Sequence, residues 1–399
     1  MKILHVIPSM GPAYGGPSKG LQELSTALSA VGVSIDVATT NADGPDSLRV
    51  PLGVAVEEKG VNTYYFPRQG RGSFVFSWPL TQWLWRHQSG YDLVHVHTIF
   101  AYPTLAASRI AQRRRVPYVV TPHGMVEPWC LNYKSWKKQP YMKLIEQQTL
   151  SMATALHALV SQEEVNLRAL DLVNPTFVLP NGVNLSEFSA LPPKQLFAAN
   201  FPQAHGRKII LFLGRIDPKK GLDHLVNSFA EILQEAPHEK PLLVIAGPDL
   251  VGYGDEVKSL IEEKGLTQNV LFTGMLTGEI KLAAFSAADV FVLPSRSEGF
   301  SMAVLEALAA GCPVVITEAC NFPELAADGA GRVIKTDAGE LTRVLLELLQ
   351  SDDLRREMGE QGKQLMRREY SWPIIAARLG HVYQDILEGT RKAQAWRAQ

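Results

Sequence analysis

Cysteine is scarce in this chain: Cys130, Cys312 and Cys320 are the only three among 399 residues. An odd number at irregular spacing gives neither a disulfide framework nor a zinc motif, so a reducing compartment is expected. Long apolar runs are missing too. No stretch approaches the ~20 residues a membrane-spanning helix needs, and the apolar part of the opening MKILHVIPSM is too short for a signal segment. Cytoplasmic residence is the expectation, with contact to a membrane surface left open. Charge of one sign is not in excess either. Thirty-nine basic residues stand against 40 acidic ones, which disfavours a dedicated nucleic-acid binder. The chain has no G-x-G-x-x-G fingerprint and no G-x-x-x-x-G-K-[ST] phosphate loop. NAD-dependent oxidoreduction and P-loop chemistry are therefore disfavoured. Fixed-period repeats and low-complexity segments are absent as well.

What is present is ordinary globular material, 46% apolar and 20% charged. A chain of this length exceeds what one hydrophobic core usually serves, so two domains are expected. Residues 1–185 hold 16 basic and 12 acidic residues (net +4), and the remainder 23 and 28 (net −5). The strand-loop-helix-strand grammar is written twice. ILHVIP (3–8), a glycine-rich loop, LQELSTALSAVG (21–32) and VSIDVATT (33–40) open the first copy; YDLVHVHT (91–98) and VPYVVTPHG (116–124) continue it. The second begins at RKIILFLGRIDPKKG (207–221). It continues through PLLVIAGPD (241–249), NVLFTGML (269–276), ADVFVLPS (288–295) and CPVVITEA (312–319). This alternation predicts α/β architecture: two doubly wound, Rossmann-like domains facing across a cleft. The expected boundaries are 1–190 and 200–372. Residues 373–399 then form a helix after a proline break, crossing back to the first domain. In such sheets ligands bind beyond the C-terminal strand ends, so the loops after strands are the ones to inspect.

Three loops carry chemistry. In GRIDPKKG, Arg215 and Lys220 lie between a strand and a helix, where a basic pair beside free N–H groups suits a diphosphate; the alternative is plain solvated charge. In MGPAYGGPSKG, Gly15 and Gly16 allow a ligand close to the backbone, unless this is an ordinary glycine-rich connection. In SRSEGFSMAVLEAL, Gly299 permits a turn into a helix whose first N–H groups, near Ser301, Met302 and Ala303, can receive an anion. Two glutamates flank that start. Glu298 precedes the helix and Glu306 lies in its second turn, so the pair can bracket a ligand wider than a phosphate. The bland readings are a dipole-complementing Glu298 and a solvated Glu306. His95 and His97 alternate on one strand face. No Cys or acidic partner is spaced to complete a metal site with them, so no metal is expected.

Together EGFSMAVLE, ALAAGCPVV, GRIDPKKG, VLPNGVN, ITEACNFPEL and the glycine-rich first loop resemble a family. The chain is similar over essentially its whole length to retaining GT-B glycosyltransferases of the large bacterial family four, marked by E-x7-E. The resemblance implies that Glu298 contacts the donor hexose and that Glu306 binds the ribose hydroxyls. Arg215 and Lys220 take the diphosphate and steady the leaving group. Backbone around Phe300, Ser301, Met302 and Ala303 meets phosphate and sugar, and Gly16 approaches the diphosphate. His123 lies near sugar and acceptor, unless it is a structural histidine. Backbone at Pro248, Met275 and Leu276 walls the base pocket. Ser301 stands where the family usually has glycine. No D-x-D triplet is present to hold a metal, so Arg215, Lys220 and the helix start would neutralise the diphosphate. The implied activity is metal-independent hexosyl transfer, without other cofactor. The donor is a nucleotide sugar, UDP-glucose or similar, and the acceptor a glycan or lipid-linked hydroxyl in envelope polysaccharide assembly. A nucleotide-sugar epimerase or a non-catalytic sugar-nucleotide binder on the same fold are the alternatives. FVFSWPLTQWLWRHQ (74–88) and EPWCLNYKSWKKQPYMKLIEQQ (127–148) interleave aromatic rings with Lys134, Lys137, Lys138 and Lys143. That pattern suits peripheral contact with an anionic membrane, or else a lid or core around a soluble acceptor.

Overall fold

A computed structural model describes residues 1–70, 72, 74–132 and 135–397. It divides the chain into two compact units, one of Met1–Gly182 joined by the segment from Trp372 onward, the other of Val183–Ser371.

The first sheet is built around the opening strand, β1 (Lys2–Ser9), in which every residue after Lys2 is buried. A strand apolar on both faces belongs inside a parallel sheet covered by helices. The others are β2 (Ser34–Thr40), β3 (Ala55–Glu58), β4 (Val61–Phe66), β5 (Leu93–His97), β6 (Tyr118–Thr121), β7 (Ala155–Ala158) and β8 (Thr176–Val178). They are ordered β8-β7-β6-β5-β1-β2-β4-β3. All neighbours are parallel except β3, which pairs antiparallel with β4. The expected parallel pattern fails there because Lys59 and Gly60 both take positive φ (52° and 77°), the backbone of a tight hairpin turn. Helices α1 (Gly16–Ala30), α2 (Trp78–His87) and α3 (Tyr102–Arg114) belong to this unit.

The second sheet comprises β9 (Lys208–Leu213), β10 (Pro241–Ala246), β11 (Val270–Gly274), β12 (Val290–Leu293), β13 (Val314–Thr317) and β14 (Gly331–Ile334). It is fully parallel, ordered β11-β10-β9-β12-β13-β14. Strand β14 escapes a reading by composition, being four residues that start with glycine and include Arg332. Helix α4 (Leu222–Glu235) buries Leu222, Leu225, Val226, Phe229 and Ile232, one apolar stripe at helical spacing. Helices α5 (Gly278–Ala287) and α6 (Met302–Ala310) follow β11 and β12.

Both sheets reverse direction of growth once. In the second, β10 and β11 add on one side of β9 and β12 adds on the other. The loops after β9 and β12 therefore diverge at a topological switch point, where a crevice opens. In the first sheet the corresponding point lies between β1 and β5. The last helix, α7 (Trp372–Arg397), packs on α1. Pro373 does not break it. A proline in the first turn removes no helical hydrogen bond, and the helix starts one residue earlier, with the Trp372 indole donating to Glu23.

Candidate active site

In the second unit the strand ends are stitched together by backbone. Gly214 N–H donates to Ala246 O, Ile216 N–H to Pro248 O (3.0 Å) and Gly247 N–H to Gly274 O (2.8 Å). Gly247 has φ 143°, and a Cβ there would stand 1.8 Å from Gly214 O, so only glycine fits. This sets Arg215, Pro248 and the 274–276 loop along one edge. Arg215 and Met275 are exposed and Leu276 is half-buried.

The two loops at the switch point are clamped to each other. Asp217 accepts from Lys219 N–H and starts the turn Pro218–Lys220. Gly221 then passes so close under the second loop that a Cβ would meet Pro294 O at 2.1 Å. From the second loop, Arg296 binds Asp223 through two nitrogens (2.8 and 2.5 Å) and donates to Pro218 O. The Arg296 N–H donates to Lys219 O (2.7 Å). Such a forked contact fixes geometry as well as charge.

The clamp delivers Lys220, itself buried, onto the Glu298 carboxylate. Glu298 is fixed by its backbone, N–H to Ala319 O (3.0 Å) and O accepting from the Asn321 amide (2.7 Å). Burial alone would raise its carboxyl. The charges of Lys220, Lys219 and Arg215 hold it below the usual carboxylate range instead. Dipole complementation is therefore not what Glu298 does; its oxygens face a lysine.

Phe300 stacks on Tyr370 and meets Phe322 edge to face. Ser301 is the residue before α6 and its side chain caps nothing. The first turn, Met302 and Ala303 included, thus keeps N–H groups without a side-chain cap. Glu306 is 3% exposed and pairs with Lys281 of α5 at 2.6 Å, so it is not a solvated helix residue. Sequence reasoning missed Arg296, Asp223 and Lys281. Arg296 sits two residues before Glu298, and that proximity was the one available signal.

Gly16 and His123 lie in the first unit. Gly15 (φ 70°) turns the chain into α1, and no side chain caps that helix. His123 and Gly124 both have positive φ (56° and 75°). The turn is held by buried Glu163, which accepts from Gly124 N–H (2.6 Å) and Leu159 N–H (2.8 Å). Thr98 and Phe100, after β5, are also left-handed (74° and 62°), and the Thr98 hydroxyl is buried without a partner. Strained backbone of this kind gathers at functional sites.

Parallel register sets His5 of β1 opposite His95 of β5. His97, His123 and His157 complete a group of five. Burial drives all five down, His5 and His123 to about 3, His157 to about 4, His95 and His97 well below their usual value. Ring nitrogens of His5, His95 and His97 lie within 4.8 Å of one another. The rings are stacked, however (His95 on His97 at 4.3 Å, His5 on His97 at 5.0 Å). Stacked rings aim their lone pairs past a common point, and both nitrogens of His95 and of His97 are already hydrogen-bonded. The group is a hydrogen-bond network.

Residues 194–365 match the family described as "Glycosyl transferases group 1", and residues 15–182 match "Glycosyl transferase 4-like domain". A phosphatidyl-myo-inositol mannosyltransferase of Mycobacterium leprae is 29% identical over 78% of each chain. A D-inositol 3-phosphate glycosyltransferase of Jonesia denitrificans is 27% identical over 96% of this chain and 95% of its own. Among solved structures, a sucrose-phosphate synthase from Thermosynechococcus elongatus superposes with TM-score 0.78 at 22% identity, covering 98% of this chain and all of that one, a likeness of fold.

Proposed function

This chain belongs to the group 1 glycosyl transferases, of GT-B fold, and we propose that it moves a hexose from a nucleoside-diphosphate sugar to a hydroxyl, retaining anomeric configuration. The observation that carries this is the clamped switch point: Arg296 ties the two loops together and brings Lys220 onto Glu298, just ahead of the uncapped start of α6, with the buried Glu306 in its second turn. Arg215, Lys220 and the α6 N–H groups receive the diphosphate and stabilise its charge as it leaves, with no metal. Glu298, kept ionised by Lys220, accepts from sugar hydroxyls. Glu306, oriented by Lys281, accepts from the ribose. Pro248, Met275 and Leu276 border the base. Gly16 and His123 are assigned to the diphosphate and the sugar. The relatives' names favour mannose as the hexose and an inositol head group as the acceptor, over the UDP-glucose or similar donor that the sequence resemblance implied. The test is nucleoside-diphosphate release from GDP-mannose and UDP-glucose, with inositol phosphate or phosphatidylinositol as acceptor and EDTA present. No release from either donor would refute the proposal.

Glu306→Ala is expected to weaken binding of the free nucleoside diphosphate ~10-fold or more, since it removes a charged hydrogen-bond partner of the ribose. Glu298→Ala should leave that affinity nearly intact and lower turnover. Calorimetry with GDP and UDP decides it; equal losses in both variants would refute the division of labour.

We further propose that the first unit docks on anionic membrane to reach a lipid-borne acceptor. No helix among the described residues is long and apolar enough to cross a membrane. Trp78 and Trp85 on α2 and Trp136 are exposed, Trp136 by 74%. The Lys137 ammonium lies over the Trp136 ring, and Lys143 is exposed nearby in sequence. Tyr133 and Lys134 lie outside the described residues. Lys138 is engaged with Cys130 O. Exposed rings and lysines suit a headgroup boundary, each lysine contributing about 1 kcal/mol at an anionic surface. Anionic liposomes should sediment the protein at low salt and release it at high salt. Lys137→Glu with Lys143→Glu should abolish sedimentation and leave nucleotide affinity unchanged. Wild type staying in solution at low salt would point to a soluble acceptor.

A further inference from the structure

Four buried histidines and the half-buried His123 form two hydrogen-bonded chains, and only one is anchored. His157 Nε2 faces Leu179 O (2.8 Å), which can only accept, so the proton of this neutral ring is on Nε2. Its Nδ1 then accepts from the Thr121 hydroxyl (2.8 Å). With that proton committed, the Thr121 oxygen accepts from His95 Nε2–H (2.7 Å), and His95 Nδ1 accepts from the Tyr383 hydroxyl (2.6 Å). One backbone carbonyl thus fixes every proton in the first chain.

The second chain runs from His5 Nδ1 to His97 Nε2 (2.7 Å) and from His97 Nδ1 to His123 Nε2 (3.1 Å). Neutral rings carry one proton each, so only two arrangements make both bonds. Either every ring is protonated on Nδ1, or every ring is protonated on Nε2. The choice falls at the far end, where His5 Nε2 is buried without a partner. Protonation on Nε2 would bury an orphaned N–H. Protonation on Nδ1 leaves only an unused lone pair there, and orphaned buried donors are the rarer defect.

We infer that His5 and His97 are positioning residues that hold His123 as the Nδ1–H tautomer, so that its half-buried ring donates to an oxygen of the bound sugar or acceptor and cannot act as a base. This rests on the proposed transfer for its ligand, though the tautomer stands without it. As the acceptor oxygen bonds to the anomeric carbon and the carbon–phosphate-oxygen bond breaks, the hydroxyl proton departs on the diphosphate and not on His123.

The experiment is a two-bond proton–nitrogen correlation spectrum of the full chain labelled with ¹⁵N-histidine at neutral pH, the His123 signal identified by its loss in His123→Gln. Wild type should show His123 protonated on Nδ1. His97→Leu should mix in the Nε2–H form and lower kcat/KM ~10-fold, the effect of one misdirected hydrogen bond. His97→Asn, whose amide can donate in place of His97 Nδ1, should restore both. An Nε2–H signal in wild type would overturn the inference and make His123 the proton acceptor. An Nδ1–H signal and an unchanged rate in His97→Leu would overturn the positioning role. Should His97→Leu not fold, the wild-type spectrum alone decides the tautomer. A correct tautomer with no turnover on any donor would refute the transferase reading and leave this one standing.

Discussion

Lys220→Ala is expected to lower kcat for sugar transfer ~10²–10³-fold, about 3–4 kcal/mol of transition-state stabilisation, the usual effect of one preorganised charge at a developing anion. Lys220 is 7% exposed and held by the turn that Asp217 starts and Arg296 clamps, so it needs no reorganisation when the diphosphate leaves. Arg215 is exposed, and Arg215→Ala should cost less. The loss has a second source to separate. Lys220 is also the partner of Glu298, and removing one member of a buried pair costs roughly 3–5 kcal/mol of stability. Lys220→Met combined with Glu298→Gln removes the stranded charge. Denaturant unfolding of the second unit should recover in the double variant, and kcat of Lys220→Ala itself, measured well below its unfolding transition, should stay low. A Lys220→Ala enzyme within about fivefold of wild type in kcat would remove Lys220 from the leaving-group role, since one such charge is worth far more.

The sequence was most informative where local grammar and site coincide. A strand of β-branched residues followed by glycine and a helix start is visible in one dimension, and it brought Arg215, Lys220, Glu298 and the α6 N-terminus into view. What escaped depends on partners far along the chain. Arg296 meets Asp223 from 73 positions away, and Lys281 reaches Glu306 from a neighbouring helix. A lysine in TGEIKLAAF reads as surface charge until α5 is laid beside α6. His5 was hidden for a related reason. Within ILHVIP it passes as one polar residue in a core strand, and only the register of β1 on β5 sets it beside His95 and stacks it on His97. Antiparallel β3 was lost because its hairpin uses Lys-Gly, a weaker signal than Asn-Gly or Asp-Gly. Pro373 misled because a proline reads as a breaker unless the helix start is known to one residue.

The histidine network makes acid stability the other large expected effect. The first unit should lose stability steeply below pH 6.5, by about 7 kcal/mol per pH unit if all five rings refuse a proton, at ~1.4 kcal/mol each. Their folded pKa values are depressed, to about 3 for His5 and His123 and about 4 for His157. Above ~6.5 neither the folded nor the unfolded chain binds protons at these sites, and pH has no effect through them. Between ~6.5 and the folded values only the unfolded chain takes them up, so unfolding is favoured as pH falls. Glu146 opposes this. Burial raises its carboxyl to about 6, so its folded form gains a proton first and stability rises by about 2 kcal/mol between pH 6 and 4.5. Burial raises the Glu163 carboxyl as well, but two carboxyls cannot offset five imidazoles. Since domains are stable by only about 5–15 kcal/mol, the first unit is expected to unfold near pH 5. All seven tryptophans lie in that unit, none between 183 and 371, so tryptophan fluorescence follows its unfolding alone. Urea titrations at pH 7.5, 6.5 and 5.5 give the slope in protons, which should reach about three to four near pH 5.5, five imidazoles less the opposing carboxyls, and drop by about one in His157→Gln. A slope under two protons would mean that the network accepts protons while folded, and that its rings are not held neutral by burial.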